Sequence, residues 1–526
     1  MLTNKLTLGQ LPERPEPLWR GGLSLPIFNP LEDDCETDVA IVGGGITGIT
    51  AAYLLSNAGK KVVLIDADRL LNGTTGHTTA KVTAQHDLIY DEFISHFGQS
   101  IARLYYEANM EAFNFIKNII EEHNIDCDYS IEDAFLYATT DKYAKKLQQE
   151  WNAYQKLHIE GKLVTEIPFN IKIKNALVMN DQAQFHPLKY LSKLVTLLES
   201  NGVQIYEHTT AVDINEDGDR VRVITLNGKS ITASQAICCS HFPFYEGTGF
   251  YFTRMYAERS YALAVKTEKD YPGGMYLSVD EPSRSLRSAS YKGEKIIIIA
   301  GEKHKTGQGE NTLEHYKALE GFGKDVVGIN QVLYRWSTQD LTTLDKIPYV
   351  GEITRGKNRI LVATGYRKWG MTNSTVAAMI IRDKILGTGN RYLELYQPSR
   401  FYIDPSLKNF FIENTDVVKH FLKGKLELPH KSLEQMENDE AIIIRVNGNR
   451  KGVYKDHYGK LHIVDTTCTH LGCEVNWNQG DRTWDCPCHG SRFSFNGAVI
   501  EGPAEKPLLK ESFNMTDLLS EDKTGY

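Results

Sequence analysis

Two short loops near the C-terminal end concentrate the residues best suited to holding a metal. They read Cys468-Thr469-His470-Leu471-Gly472-Cys473 and Cys486-Pro487-Cys488-His489-Gly490-Ser491. Each loop offers a cysteine and a histidine, with a further cysteine beside them. Zinc modules usually group cysteine with cysteine and histidine with histidine, whereas both loops here mix the two. A Cys2His2 zinc site therefore stands as the alternative reading. The other four of the eight cysteines, Cys35, Cys127, Cys238 and Cys239, are scattered through the first half. That distribution favours a local metal site over a disulfide framework for the whole chain.

A second constellation lies near the N-terminus. Val39-Ala40-Ile41-Val42 reads as a buried strand, and Gly43-Gly44-Gly45-Ile46-Thr47-Gly48 then opens an Ala-rich helix. Gly43 permits the tight turn, Gly45 lets a pyrophosphate approach the backbone, and Gly48 lets helix and strand pack closely. Phosphates then meet the unpaired N–H groups of the helix start at Ile46 and Thr47. The next strand, Val62–Ile65, ends in Asp66 and Ala67, with Asp66 placed for a ribose hydroxyl roughly twenty residues on. Strand, helix and acid together make the full dinucleotide fingerprint. Gly73-Thr74-Thr75-Gly76-His77-Thr78-Thr79-Ala80 follows, and its small residues suit a flat cofactor lying against the backbone. A later strand–glycine–helix unit, Ile360–Gly365 and then Trp369-Gly370-Met371-Thr372, aims a second helix N-terminus at the same ligand. No second complete G-x-G-x-x-G occurs, so one tightly held dinucleotide is favoured.

These sites need a large scaffold. At 526 residues the chain calls for roughly two to four domains. With a net charge of -8, nothing suggests a nucleic-acid binder. No run of about eighteen apolar residues suggests a membrane span, and no secretory h-region follows Lys5, so cytoplasmic residence is the default expectation. Residues 1–36 are Pro-rich and read as an extended arm anchored by Trp19. The βα alternation that follows gives way, between Phe250 and Ala300, to β-rich runs expected to form an antiparallel sheet. Apolar residues at helical spacing, among them Phe410, Phe411, Val417 and Val418, predict a docking helix within 401–436, followed by a linker. From Ala441 onward short strands and turns predict a small all-β domain.

Taken in order, the Gly43–Gly48 turn with Asp66, the Gly73–Lys81 loop, His186-Pro187, the Ile237–Ser240 strand, the Leu341–Gly351 segment and Gly365–Thr372 resemble the D-amino-acid oxidase/glycine oxidase superfamily. The resemblance spans about residues 37–400. It implies an α/β Rossmann-like FAD domain (about 37–100, 175–245 and 335–400) interleaved with an α+β substrate domain (about 101–174 and 246–334) whose antiparallel sheet roofs the isoalloxazine ring. It also implies oxidation of a C–N bond by hydride transfer to FAD. By the same resemblance Val212 would lie by the adenine, Ser240 at the end of its strand, and Gly370, Met371 and Thr372 by the pyrimidine edge of the ring. Such enzymes typically hold a substrate carboxylate with an Arg and a Tyr of the roof. Arg259 with Tyr261 or Tyr256, Arg287 with Tyr291, and Lys303 with His304 are the candidate sets. Cys239-Ser240-His241 departs from the Ala-Thr-Gly often found in the superfamily.

The two Cys/His loops resemble a Rieske [2Fe–2S] site, of the disulfide-bearing type, in a domain spanning about 437–526. The resemblance implies that Cys468 and Cys486 bind one iron and His470 and His489 the other, which raises the potential above that of all-Cys clusters. It further implies a Cys473–Cys488 disulfide, free buried thiols being the alternative, a Ser491 hydroxyl bonded to cluster sulfur, and a Pro loop at Gly502-Pro503-Ala504. Phe493 stands where high-potential members carry a Tyr, so a lower potential is expected. The expected function is that of a flavoprotein dehydrogenase. An amine or amino-acid-like substrate reduces FAD, and the Rieske centre passes electrons singly to an external acceptor. Reversed flow into a reductive enzyme, or a Rieske-controlled redox sensor, are the rival readings.

Overall fold

The apolar run ending at Val42 forms the strand Cys35–Val42 at the middle of an eight-stranded sheet. It pairs in parallel with Val62–Ile65 on one side and Ser230–Cys238 on the other. Gln204–Tyr206 extends the first side; Ile360–Thr364 and Tyr349–Glu352 extend the second. The order reverses at the central strand. Ligands of open α/β sheets bind at such a switch point, beyond the carboxyl ends of the strands. The helices Ile46–Asn57 and Gly370–Leu386, buried through most of their first three turns, pack against this sheet. The structure is a computed structural model and describes residues 11–309, 311–426, 433–446 and 448–511. Residues 1–10 of the expected arm, part of the expected linker and the C-terminal end of the expected Rieske segment lie outside the described residues.

A nine-stranded sheet forms the roof, ordered Ile329–Thr343, Met255–Thr267, Glu294–Lys305, Arg284–Tyr291, Met275–Ser278, Ser130–Ala138, Asn175–Gln184 and Lys81–Val82, with Lys162–Val164 paired to Asn175–Gln184. It is antiparallel except where Met275–Ser278 runs parallel to Ser130–Ala138. Asn175–Gln184 lies in this roof rather than with the FAD part, where the resemblance puts it. The helix Pro187–Ser200, capped by the His186 imidazole, then returns the chain to the parallel sheet.

The last part folds as two four-stranded antiparallel sheets. One holds Glu440–Val446, Asn449–Lys455, Leu461–Asp465 and Lys510–Glu511; the other holds Asn476–Asn478, Thr483–Asp485, Arg492–Ser494 and Val499–Glu501. Before it, the helix Lys408–Leu426 is tied to the roof by Lys305, whose Nζ is 2.8 Å from both Glu413 and Asp416. Among residues 11–36, Trp19 is buried and donates from Nε1 to the Thr78 carbonyl at 2.6 Å. No helix of the described residues is long and apolar enough to cross a membrane.

Candidate functional site

The glycine turn is built for close approach. Gly43 sits at φ +113°, and a Cβ there would meet the Cys239 carbonyl at 2.5 Å. A Cβ on Gly48 would lie 2.0 Å from the Gly43 carbonyl, so helix and strand touch backbone to backbone. Asp66 accepts from the Gly44 N–H at 2.7 Å and the Asp68 N–H at 2.9 Å. Burial pushes its carboxyl up to about 6. Thr75 Oγ1 accepts from the Ile46 N–H at 3.1 Å, joining the threonine loop to the helix start. From the roof, Arg287 donates to the Thr79 and Ala80 carbonyls at 2.7 and 2.6 Å, and Trp336 donates to the His77 carbonyl at 2.8 Å. Arg287 is therefore occupied in holding the loop.

These segments enclose a cavity of about 970 Å³. Gly43, Gly45, Ile46, Thr47, Asp66, Ala67, Gly73, Thr74, Thr75, Thr79, Ser240, Trp369, Gly370 and Met371 all line it. Gly48, Ala80, Val212, Gly365 and Thr372 do not line it. Gly365, at φ +79°, leaves room for Thr343, and Thr372 bonds the Thr83 carbonyl at 3.2 Å.

The candidate substrate anchors divide by face. Lys303 lines the cavity and pairs with Glu281 at 2.9 Å. Arg259, Tyr261 and His304 lie on the opposite face of the roof. Tyr261 hydrogen-bonds His304 Nε2 at 2.9 Å and stacks on His315. Arg259, fully buried, faces Asp481 at 3.7 Å, Asp485 at 4.0 Å and Glu501 at 3.4 Å in the C-terminal domain. Arg492 closes the same network against the same three acids. The cavity face of the neighbouring strands instead presents Tyr256, Glu258, Ser260, Thr338 and Asp340, joined by Lys368. Motif reading singles out only Tyr256 among these residues, because strand alternation marks two faces without saying which one meets the ligand.

The Cys/His loops converge. Cys468 and Cys486 are both buried, and a hydrogen bond between their sulfurs is the largest influence holding the Cys468 thiol down at about 7. The His470 and His489 rings lie 5.1 Å apart. Burial holds both imidazoles neutral, at about 4. His489 Nδ1 is buried and has no hydrogen-bond partner, as a nitrogen facing a metal requires. Cys473 and Cys488 form a disulfide that clips the two loops together. Ser491 Oγ accepts from the Ala504 N–H at 3.0 Å, fixing the proline loop over the site. Two neighbouring thiols and two neutral imidazoles, one with an orphaned nitrogen, fit a Rieske cluster.

The two sites are joined directly. Val499, Ile500, Glu501, Gly502, Pro503, Ala504 and Glu505 of the C-terminal domain line the dinucleotide cavity. Phe252, just before the roof strand Met255–Thr267, sits edge-on to His470 and His489, at 5.7 and 5.4 Å between ring centres.

Fold, glycine cradle and Cys/His site define a flavin oxidoreductase that carries its own iron–sulfur domain. Residues 38–384 match the family of FAD dependent oxidoreductases (DAO), and residues 428–514 match the Rieske [2Fe-2S] domain, so the chain belongs to the DAO family and binds FAD and a [2Fe–2S] cluster. It is similar to YhfW of Bacillus subtilis (strain 168), named as a Rieske 2Fe-2S iron-sulfur protein, at 51% identity over 94% of this chain and 97% of that protein. Gamma-glutamylputrescine oxidoreductase of Escherichia coli (strain K12) is 23% identical over 69% of this chain and 87% of its own. In fold the chain resembles glycine oxidase from Geobacillus kaustophilus, with a TM-score of 0.59 at 17% identity, covering 70% of this chain and 99% of that one.

Proposed function

We propose that this enzyme oxidises an amine or amino-acid-like substrate and delivers the electrons singly to an external acceptor. FAD supplies two-electron chemistry by taking hydride, and the [2Fe–2S] cluster supplies one-electron carriage. The observation that carries the reading is the shared wall: residues 499–505 of the Rieske segment line the cavity that cradles the dinucleotide. Cys468, His470, Cys486 and His489 would hold the cluster, and Gly43, Gly45, Asp66, Thr75 and Gly370 would hold the FAD. The names of the glycine oxidase and gamma-glutamylputrescine oxidoreductase relatives support a C–N substrate.

The chain's own residues organise this traffic. The Gly502–Pro503 segment lies against Phe242 at the cavity edge, and Phe252 packs against both imidazoles. Anaerobic stopped-flow mixing with a panel of primary amines, secondary amines and amino acids tests the reading. Bleaching of the flavin absorbance followed by cluster reduction is expected. A reduced flavin that never reduces the cluster would overturn the transfer.

A further inference from the structure

One carboxylate facing the cavity is neither hydrogen-bonded nor ion-paired among the described residues. Asp340, on the roof strand Ile329–Thr343, is only 6% exposed and lines the cavity. Its partner in register on the adjacent strand is another acid, Glu258, which lines the same cavity. Like charges directly opposite one another in a sheet are unfavourable, and a buried carboxylate without a partner is more so. An arrangement of this kind is sustained when a ligand completes it.

The surrounding charges narrow what that ligand is. Arginines of the roof are committed elsewhere, Arg259 to the Rieske acids, Arg287 to loop carbonyls and Arg335 to the Pro12, Glu13 and Gly480 carbonyls, and Arg367 at the cavity wall donates to the His86 carbonyl. Lys303 is paired with Glu281, and Lys368 donates to Ser260 Oγ. The groups acting on Asp340 are Lys368 and Arg259, which favour its charge, and Glu258 and Glu501, which oppose it. Burial dominates and pushes its carboxyl up to about 7. The exposed lone pairs of Asp340 and the neighbouring Glu258 suit a cation with N–H donors.

We propose that Asp340 receives the substrate's amino group and takes the proton that must leave nitrogen before oxidation. This inference rests on the amine-oxidising reading above. The ammonium transfers one proton to the Asp340 carboxylate, which leaves a neutral amine and a carboxylic acid. The C–H bond next to nitrogen would then break while the nitrogen lone pair forms the C=N bond, and FAD held by the glycine cradle would supply the two-electron acceptor for the departing hydride. Nitrogen ends in an iminium and the carbon is oxidised by two electrons. Glu258, opposite it across the ladder, presents a second acidic side chain to the cationic substrate and product.

Asp340→Asn keeps the shape of the side chain and removes the base. Its FAD spectrum and cluster signal report that it is folded and loaded. Flavin reduction by an amine that bleaches the wild type is measured anaerobically across pH. The wild-type rate is expected to rise as pH increases through about 7. In the Asn variant the rate near neutral pH should fall roughly 100-fold. It should recover above roughly pH 10, where solution itself supplies neutral amine. Binding of tert-butylammonium, which has no hydrogen on the carbon next to nitrogen and cannot react, should weaken about tenfold or more by calorimetry. An unchanged pH profile and unchanged binding, with wild-type bleaching intact, would overturn the role of Asp340 alone. An equal loss at every pH would also overturn it, since that marks a structural effect. A wild-type flavin that no amine reduces would overturn this role together with the parent reading.

Discussion

Gln339 Nε2 donates to the carbonyl oxygen of Gly490 at 2.9 Å, so the roof strand that carries Asp340 also holds the loop that carries His489. Gln339 is itself fixed by Thr306, whose hydroxyl donates to its Oε1 at 2.8 Å. On the same contact, Asn476 donates to the Gly307 carbonyl at 2.8 Å. The cluster loop and the nearby strand Asn476–Asn478 are therefore docked on the flavin part by side-chain amides bonded to backbone carbonyls.

That docking leaves no room for a side chain at residue 490. Gly490 has φ +82°, and a Cβ there would sit 2.4 Å from the Cβ of Ala257. Gly490→Ala is expected to displace the loop and slow cluster reduction by about tenfold or more, with backbone strain of about 1–3 kcal/mol. Flavin bleaching by substrate should be unchanged. Anaerobic stopped-flow records both phases in one experiment; equal rates of cluster reduction in variant and wild type would contradict the docking role.

The buried charges between the domains should act as a lock. Removing Arg259 leaves Asp481, Asp485 and Glu501 with Arg492 as their remaining guanidinium in the network. Breaking a buried pair in this way costs about 3–5 kcal/mol. Arg259→Ala should therefore lower the melting temperature measured by calorimetry. The pH dependence follows from Glu501. Burial alone would raise its carboxyl, but Arg492 and Arg259 outweigh it and hold the group down at about 2. A carboxylate depressed in the folded state stabilises above its unfolded value, and that contribution is lost as pH falls through the folded one. Stability should decline between about pH 4.5 and 2. Glu501→Gln should flatten that part of the profile.

Cluster potential should follow the hydrogen bonds to sulfur. Ser491 interacts with the Cys468 sulfur and is fully buried, as is Phe493. A charge-assisted hydrogen bond of roughly 1.5–3 kcal/mol corresponds to roughly 60–130 mV in a one-electron couple. Ser491→Ala should lower the potential by about that amount. Phe493→Tyr should raise it by supplying a hydroxyl that phenylalanine lacks. Redox titration followed by electron paramagnetic resonance measures both, and a potential indifferent to both changes would remove hydrogen bonding as the tuning device.

Local chemistry is legible in the chain itself. Gly43, Gly45 and Gly48 declare a phosphate turn because only a residue without Cβ tolerates those backbone approaches, and that requirement is written within six consecutive positions. Cys468, His470, Cys486 and His489 likewise announce a cluster, because each Cys/His pair lies within one loop. What the tertiary structure decided is how faces and distant segments meet. Arg259 and Tyr261 share one side of a strand, and Glu258 and Ser260 share the other. Alternation fixes that they are opposed, but only packing against the Rieske acids shows which pair is turned from the cavity. Asp340 draws its meaning from Glu258 across the ladder and Lys368 from another segment, residues remote in sequence. Likewise, Val499–Glu505 forms a wall of the flavin cavity only through tertiary contacts such as Arg259 with Glu501 and Gln339 with Gly490, which join residues far apart in the chain.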